Sequence, residues 1–186
     1  MIIRPRTLIG IDPASSGAAV VLRGTLVPSV VLWGKVTRKK RRVFKVQISH
    51  RNTDKVQEAI CRTSAHVGQF INNLNCLTTV DAVAIEDCYL ARNVRTTISL
   101  ARFAGAVSAP LVLKCGFDPQ YVKPTEWRKV VLSANPRTKR EKAKEISLKY
   151  IPELVPEIKH HLNILGQHDH ITDALGIAIW LSKYHP

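Results

Sequence analysis

The chain has 186 residues, of which 45% are apolar and 23% charged, so it can bury one substantial core and is the size of a single domain covering residues 1–186. Its 28 lysines and arginines outnumber 14 acidic residues, and the formal net charge of +14 calls for a polyanionic partner such as nucleic acid or an anionic membrane. No apolar run approaches the roughly 18 residues that span a bilayer, and the N-terminus lacks the layout of a signal peptide, so we expect a soluble, cytoplasmic protein without a membrane partner.

The first residues predict a strand, a tight turn and a returning strand. Thr7 to Ile11 is a short apolar run, Asp12 and the small polar residues after it form a turn, and Ala18 to Leu22 is apolar again. Two further β-prone stretches follow, at 30–33 and 43–48.

A strongly basic segment separates those two β-prone stretches. Six of the eight residues from Lys35 to Arg42 are lysine or arginine. We expect a basic hairpin or a flexible basic loop at about 35–51.

The middle of the chain predicts a helix, a buried strand and a second helix. Apolar residues recur at helical intervals from Lys55 to Leu74, and Val80 to Ile85 is a strand-like run that ends at Glu86. A helix with small and apolar residues follows from Thr96 to Val112, and Pro110 ends or kinks it.

The last third predicts one more strand and three more helices, at about 120–122, 124–132, 139–150 and 171–181. Pro152 and Pro156 are expected to interrupt the chain between the last two helices. This order of elements favours an α/β fold with a mixed sheet and helices on its faces.

Three acidic residues fall at the ends of predicted elements: Asp12 and Glu86 close strands, and Asp173 lies near the start of the last helix. Taken singly, such a residue is more often a solvated strand-end carboxylate, because charged side chains are seldom buried without partners. Phosphodiester hydrolysis, however, needs a dense negative cluster that holds two divalent ions about 4 Å apart. In a chain this basic, the three acids predict such a cluster for Mg²⁺, which prefers carboxylate oxygens.

The spacing around the last acid leaves its partner open. Asp169 and His170 precede Asp173 by four and three residues, so either one shares a helix face with it. In a simpler interpretation Asp169 caps the helix and the histidines His168 and His170 face solvent.

The order of these motifs resembles that of the RuvC Holliday-junction resolvases, of bacterial or phage type, in the ribonuclease H-like superfamily. Residues 9–13 (IGIDP) resemble the family's first strand, residues 85–93 (IEDCYLARN) its acidic strand end with the following aromatic residue and asparagine, and residues 170–174 its terminal metal motif. Further matches in the same order are Gly105, Tyr121, Pro124, Arg128, Val130, Val131 and Lys139. The resemblance covers most of the chain and implies a mixed five-stranded sheet with helices on both faces.

The same resemblance implies a function. It implies a homodimer in the cytoplasm of a bacterial cell or phage-infected host that resolves four-way DNA junctions by symmetric hydrolysis, with Mg²⁺ or alternatively Mn²⁺ as cofactor. The catalytic, metal-binding residues that it carries over are Asp12, Glu86, His170 and Asp173. In the family, the position that matches His170 is aspartate or histidine.

The DNA-binding residues come from the resemblance and from the basic segment. Tyr89 resembles the aromatic residue that inserts at the junction centre, and Arg128 and Lys139 resemble basic residues that contact the backbone at the cut. The remaining candidates are Arg92, Asn93, Arg38, Lys39, Lys40, Arg41 and Arg42.

Two departures from the family pattern stand out. Ala14 replaces the glycine that usually follows Asp-Pro, so the turn geometry is left open. The basic segment is longer and more positive than the family's β-hairpin, which leaves the substrate breadth and the sequence preference open.

Two other functions are compatible with parts of the sequence. The opening GIDPASSG also resembles the phosphate-binding start of actin-like sugar kinases and ATPases, but such kinases need a second domain for the nucleotide, and this chain is too short for one. In a non-catalytic protein that binds branched nucleic acid, the basic segment would suffice, and the ordered acids would be left unexplained.

Overall fold

The computed structural model describes residues 6–14, 17–33, 53–75, 80–88, 94–116, 118–165 and 169–184. Several sequence-based predictions lie outside these residues: the basic segment with Arg38 to Arg42, the β-prone stretch at 43–48, and the candidate DNA contacts Tyr89, Arg92 and Asn93.

Within the described residues, five strands form one mixed sheet. They are β1 (Thr7–Asp12), β2 (Gly17–Arg23), β3 (Leu26–Trp33), β4 (Ala82–Glu86) and β5 (Gln120–Val122). Their order across the sheet is β3-β2-β1-β4-β5, in which β1, β2 and β3 are antiparallel neighbours and β4 and β5 run parallel to β1. The predicted mixed five-stranded sheet is confirmed.

Helices cover both faces of this sheet, as predicted. They are α1 (Thr53–Asn75), α2 (Val94–Cys115), α3 (Pro124–Leu132), α4 (Arg140–Leu154), α5 (Ile158–Leu165) and α6 (Asp169–Tyr184). The helices α1 and α2 pack together on one face, and α6 lies across the other with α3, α4 and α5 around it.

The side chains of β1 alternate between two cores because successive strand residues point to opposite faces. Ile9 and Ile11 pack in the core under α1 and α2, whereas Leu8 packs in the core under α6. Burial on both faces explains why the strand is continuously apolar instead of alternating with polar residues.

Close packing of α6 on β1 depends on Gly10. A Cβ atom at this position would collide with the carbonyl oxygen of Ala174 and the backbone nitrogen of Ala178. The helix therefore lies against the strand at backbone contact, which brings the start of α6 beside the end of β1.

The structure corrects the expectation that Pro110 and Pro152 end or interrupt helices, whereas Pro156 lies in the turn between α4 and α5 as predicted. Pro110 lies inside α2, which continues to Cys115, and Pro152 lies inside α4, which continues to Leu154. Buried neighbours such as Leu111 and Ile151 keep these turns packed on the protein, and packing overrides local propensity.

The sequence also failed to predict α5. This short helix buries Ile158 and Leu162, four residues apart, against the α6 core. The segment has four apolar residues, but a stretch of eight residues is too short for their spacing to distinguish a helix from a loop.

The expectation that no apolar run is long enough to span a bilayer needs a correction. Residues Val94–Leu113 of α2 are long and apolar enough to cross a bilayer by length and composition. A core helix of a soluble protein meets the same two criteria, and 28% of this window is buried inside the protein, including Phe103, Val107 and Leu111.

Candidate active site

The sheet brings two of the predicted acids to one edge. Because β1 and β4 are parallel neighbours with Ile11 opposite Ile85, their last residues, Asp12 and Glu86, lie side by side. The start of α6 packs over these strand ends and adds His170 and Asp173 from its first turns. Residues from three distant segments of the chain thus meet at the ends of β1 and β4.

Each of these four side chains is in contact with a specific partner. The His170 Nδ1 atom lies 2.5 Å from Asp12 Oδ2. Asp173 Oδ2 accepts a hydrogen bond of 2.8 Å from an Nη atom of Arg128, which is an ion pair with both side chains largely buried.

Glu86, the last of these four residues, has a tryptophan as its partner. The indole N–H of Trp127 donates a hydrogen bond of 2.9 Å to Glu86 Oε2. Trp127 and Arg128 are consecutive residues of α3, so this one helix holds two of the three acids.

Three carboxylates lie close together in the site, and the nearby positive charge does not balance them. Burial and the nearby charges of Asp12 and Asp173 raise the pKa of Glu86 to about 8, although Trp127 and Arg128 oppose the shift. Burial also raises the pKa of Asp173 to about 6, with Arg128 opposing and Asp12 adding to the shift. An added cation would relieve this repulsion, because an opposite charge favours the ionised form of a carboxyl group.

His170 responds to the same cluster in the opposite sense. Burial lowers the pKa of its imidazole, but the hydrogen bond and the negative charge of Asp12 outweigh burial and raise the pKa above its ordinary value. Asp12 thus favours the imidazolium form of His170, whereas a metal ligand must be neutral imidazole.

The residues present fit a divalent cation. Asp173 Oδ1 is buried and makes no hydrogen bond within the described residues, although the buried Ser147 hydroxyl lies close enough to lower the pKa of Asp173. Asp12 and Glu86 line a small cavity of about 30 Å³, which exceeds the roughly 10–15 Å³ that a single water needs. The carboxylate oxygens suit Mg²⁺ or Mn²⁺, whereas an imidazole such as that of His170 is a ligand more typical of transition metals.

The acids are held by protein partners in this structure. No group of three or more His, Cys, Asp or Glu side chains is arranged as a ready-made metal site among the described residues. The contacts above give the reason: Asp12 is turned to His170, and Asp173 to Arg128.

The structure places Asp169 and His170, the two candidate partners of Asp173, in different surroundings. Asp169 is the first residue of α6, and its carboxylate is bonded to Lys144 of α4, which lowers its pKa against the effect of burial. His170, by contrast, contacts Asp12 within the acid cluster.

The two described DNA-binding candidates lie at different depths. Arg128 is largely buried and bonded to Asp173, so it is part of the acid cluster. Lys139 is exposed directly before α4. The other candidates lie outside the described residues.

Sequence reasoning missed Trp127 and Lys144. A lone tryptophan in a short helix is normally interpreted as a core residue, and Trp127 is indeed fully buried. Its bond to Glu86 depends on how α3 docks on β4 and α6, which no local pattern encodes. Lys144 had no distinguishing mark among the many basic residues.

Comparisons with known proteins point to one family. A family model described as crossover junction endodeoxyribonuclease RuvC matches residues 8–180. The RuvC of Sulfurovum sp. is 32% identical over 100 residues, which cover 54% of this chain and 56% of that protein. The RuvC of Helicobacter hepaticus is 31% identical over 104 residues, which cover 56% of this chain and 50% of that protein. The chain thus spans about half the length of the curated relatives that it matches.

A solved structure shares the fold. It is described as Thermus thermophilus RuvC in complex with Holliday junction substrate, and it aligns with a TM-score of 0.66 over 97% of this chain and 94% of its own. The sequence identity is 16%, so this likeness is evidence for the fold alone.

Proposed function

The chain belongs to the RuvC family and has its ribonuclease H-like fold, and we propose on that premise that it is a divalent-metal-dependent endonuclease that resolves four-way DNA junctions. The observation that carries the proposal is the meeting of Asp12, Glu86, His170 and Asp173 at the ends of β1 and β4 and the start of α6. We place the activity in one nuclease domain, acting in the cytoplasm of a bacterial cell or phage-infected host.

These four residues would hold Mg²⁺, or alternatively Mn²⁺. When bound, such ions activate water and stabilise the leaving oxygen in phosphodiester hydrolysis. The buried, unpartnered Oδ1 of Asp173 and the raised pKa of Glu86 support this assignment, since both indicate a site that gains stability from an added cation.

The protein's own groups then position the substrate. Arg128 holds Asp173 and adds positive charge beside the acids, where a scissile phosphate would lie, and the exposed Lys139 would contact the backbone nearby. For contacts farther along the junction we propose the residues predicted from the sequence: Tyr89, Arg92, Asn93, Arg38, Lys39, Lys40, Arg41 and Arg42.

Resolution of a junction requires two cuts, and we propose that a homodimer supplies the two sites. Of the ten large apolar side chains that are exposed among the described residues, four belong to α2: Val94, Ile98, Val112 and Leu113. Large exposed apolar patches mark interaction surfaces. We therefore place the second copy of the chain against the exposed side of α2.

The experiment that tests the chemistry separates cutting from binding. Asp12→Asn, Glu86→Gln and Asp173→Asn each remove a charge needed for the metal but not for the phosphate contacts, so each should abolish junction cleavage and leave junction affinity within about threefold of wild type. Cleavage at the wild-type rate by any of the three would contradict the assignment.

A further inference from the structure

The chain has three tryptophans, and their indole N–H groups have three different environments. Trp33 donates to the carbonyl oxygen of Ala14 at 2.8 Å, and the Nε1 atom of Trp180 is buried without a hydrogen-bond partner among the described residues. Trp127 donates to a carboxylate of the candidate active site, Glu86 Oε2, at 2.9 Å. The proposed nuclease chemistry gives this last contact no role so far.

We propose that Trp127 is a positioning residue for the metal site: its indole N–H fixes the Glu86 carboxylate in the orientation in which the remaining oxygen binds the divalent cation. The inference rests on the proposed nuclease function. A hydrogen bond to one oxygen leaves Oε1 of Glu86 for the ion. Carboxylates that bind metals are commonly held by such outer partners.

The chemistry of the indole suits this task. Its N–H is a donor only, so it cannot accept a proton or bind the metal in place of Glu86. The group is also neutral, so it leaves the negative charge of Glu86 available to the cation, whereas Arg128 partly neutralises Asp173.

The surrounding packing keeps the ring in place. Trp127 is fully buried, and a Cβ atom at Gly176 of α6 would collide with its six-membered ring. The guanidinium group of Arg128 lies 4.8 Å from the ring centroid, within the range of a cation–π contact. A ring enclosed in this way cannot turn its N–H away from Glu86 without moving α3 from α6.

The test compares Trp127→Phe with Trp180→Phe as a matched control. Both substitutions remove an indole N–H and keep a ring, but Trp180 has no partner for its N–H among the described residues and has no place in the proposed site. Calorimetric titration of the DNA-free proteins with Mn²⁺ should show affinity reduced about tenfold or more in Trp127→Phe, and affinity within twofold of wild type in Trp180→Phe. Equal affinities in the two variants would overturn the proposal.

A spectroscopic measurement on the unaltered protein covers the case in which Trp127→Phe does not fold. In ¹H–¹⁵N spectra, the three indole resonances are assigned with Trp33→Phe and Trp180→Phe and then followed during titration with Mg²⁺. The Trp127 resonance should move with the same half-saturation as cleavage, and the other two should stay in place. A stationary Trp127 resonance in a protein that cleaves junctions overturns the positioning role alone, whereas a wild-type protein that neither binds metal nor cleaves overturns the proposed function as well.

Discussion

At the scale of single residues, the clustered acids of the candidate site lower the stability of the folded protein. Glu86 is half-buried beside Asp12 and Asp173, and its pKa is raised to about 8. A carboxyl group that ionises more easily in the unfolded chain than in the native protein favours unfolding once the pH exceeds its unfolded value. The cluster is therefore a local source of instability that a bound cation would remove.

The raised pKa of Glu86 predicts how the stability of the metal-free protein depends on pH. The contribution of Glu86 is fully present below its ordinary pKa of 4.5 and is lost as the pH rises through about 8. In EDTA, Glu86→Gln should therefore raise the melting temperature at pH 8 by about 3 °C or more, since about 1 kcal/mol corresponds to 2–4 °C at this size, and the gain should vanish near pH 4. A lower melting temperature than wild type at pH 8 would contradict the electrostatic account.

His170 makes a second prediction about pH. Its pKa is raised by Asp12, and only neutral imidazole binds metal, so cleavage should fall on acidification through a pH above the ordinary value of about 6.5. His170→Ala should lose most activity, and His170→Asp should recover part of it with a weaker pH dependence between about 5.5 and 7.5. These pH–rate profiles are measured at Mg²⁺ concentrations below saturation, because saturating metal competes with the proton and moves the fall in activity to lower pH.

At the scale of elements, the first turn of α6 is fixed by the ion pair between Lys144 of α4 and Asp169. Both side chains remain partly exposed, so the pair should contribute less than about 1 kcal/mol. Asp169→Asn should therefore keep most activity and lower the free energy of unfolding only slightly, as judged by urea titration. An inactive Asp169→Asn beside an active His170→Ala would reverse the roles of the two residues.

The elements also show which features of the fold and the site could be predicted from the sequence alone. Asp12 and Glu86 were recognisable because each ends an apolar run, and parallel neighbouring strands place such ends together. The contacts of Trp127 and Arg128 with the acids could not be predicted, because they follow from the docking of α3 against α6, where Gly176 admits the indole ring. Helix α5 was missed for a related reason, since its two buried positions gain meaning only from the core that they contact.

At the scale of the whole molecule, the two faces of the sheet carry different chemical groups. The α6 side carries the acids, and the α2 side exposes apolar groups such as Leu113, whose exposed fraction is 84%. A formal net charge of +14 favours association with DNA and disfavours self-association, so a dimer of this chain needs an apolar contact to form.

The dimer assignment predicts a separation of function. Ile98→Glu with Leu113→Glu places charges on the exposed side of α2, so sedimentation velocity should show a monomer where wild type is a dimer. The monomer should still bind Mn²⁺ but release single nicks instead of paired cuts. The same two changes made at Leu154 and Ile164, which are exposed apolar residues of α4 and α5, serve as the control and should leave the dimer intact. An unchanged sedimentation coefficient in the α2 variant would place the interface elsewhere.

Mapping of the cut positions is the decisive measurement of whether the proposed acid cluster cuts branched DNA. Each strand of a synthetic four-way junction is end-labelled in turn and incubated with the wild-type protein in Mg²⁺, in Mn²⁺ and in EDTA, beside a linear duplex of the same sequence. We expect metal-dependent cuts at symmetric positions in two opposite strands, with ends that a ligase reseals, and an uncut duplex. A junction that is bound but stays intact in both metals would contradict the proposed function and leave a protein that binds branched DNA without cutting it.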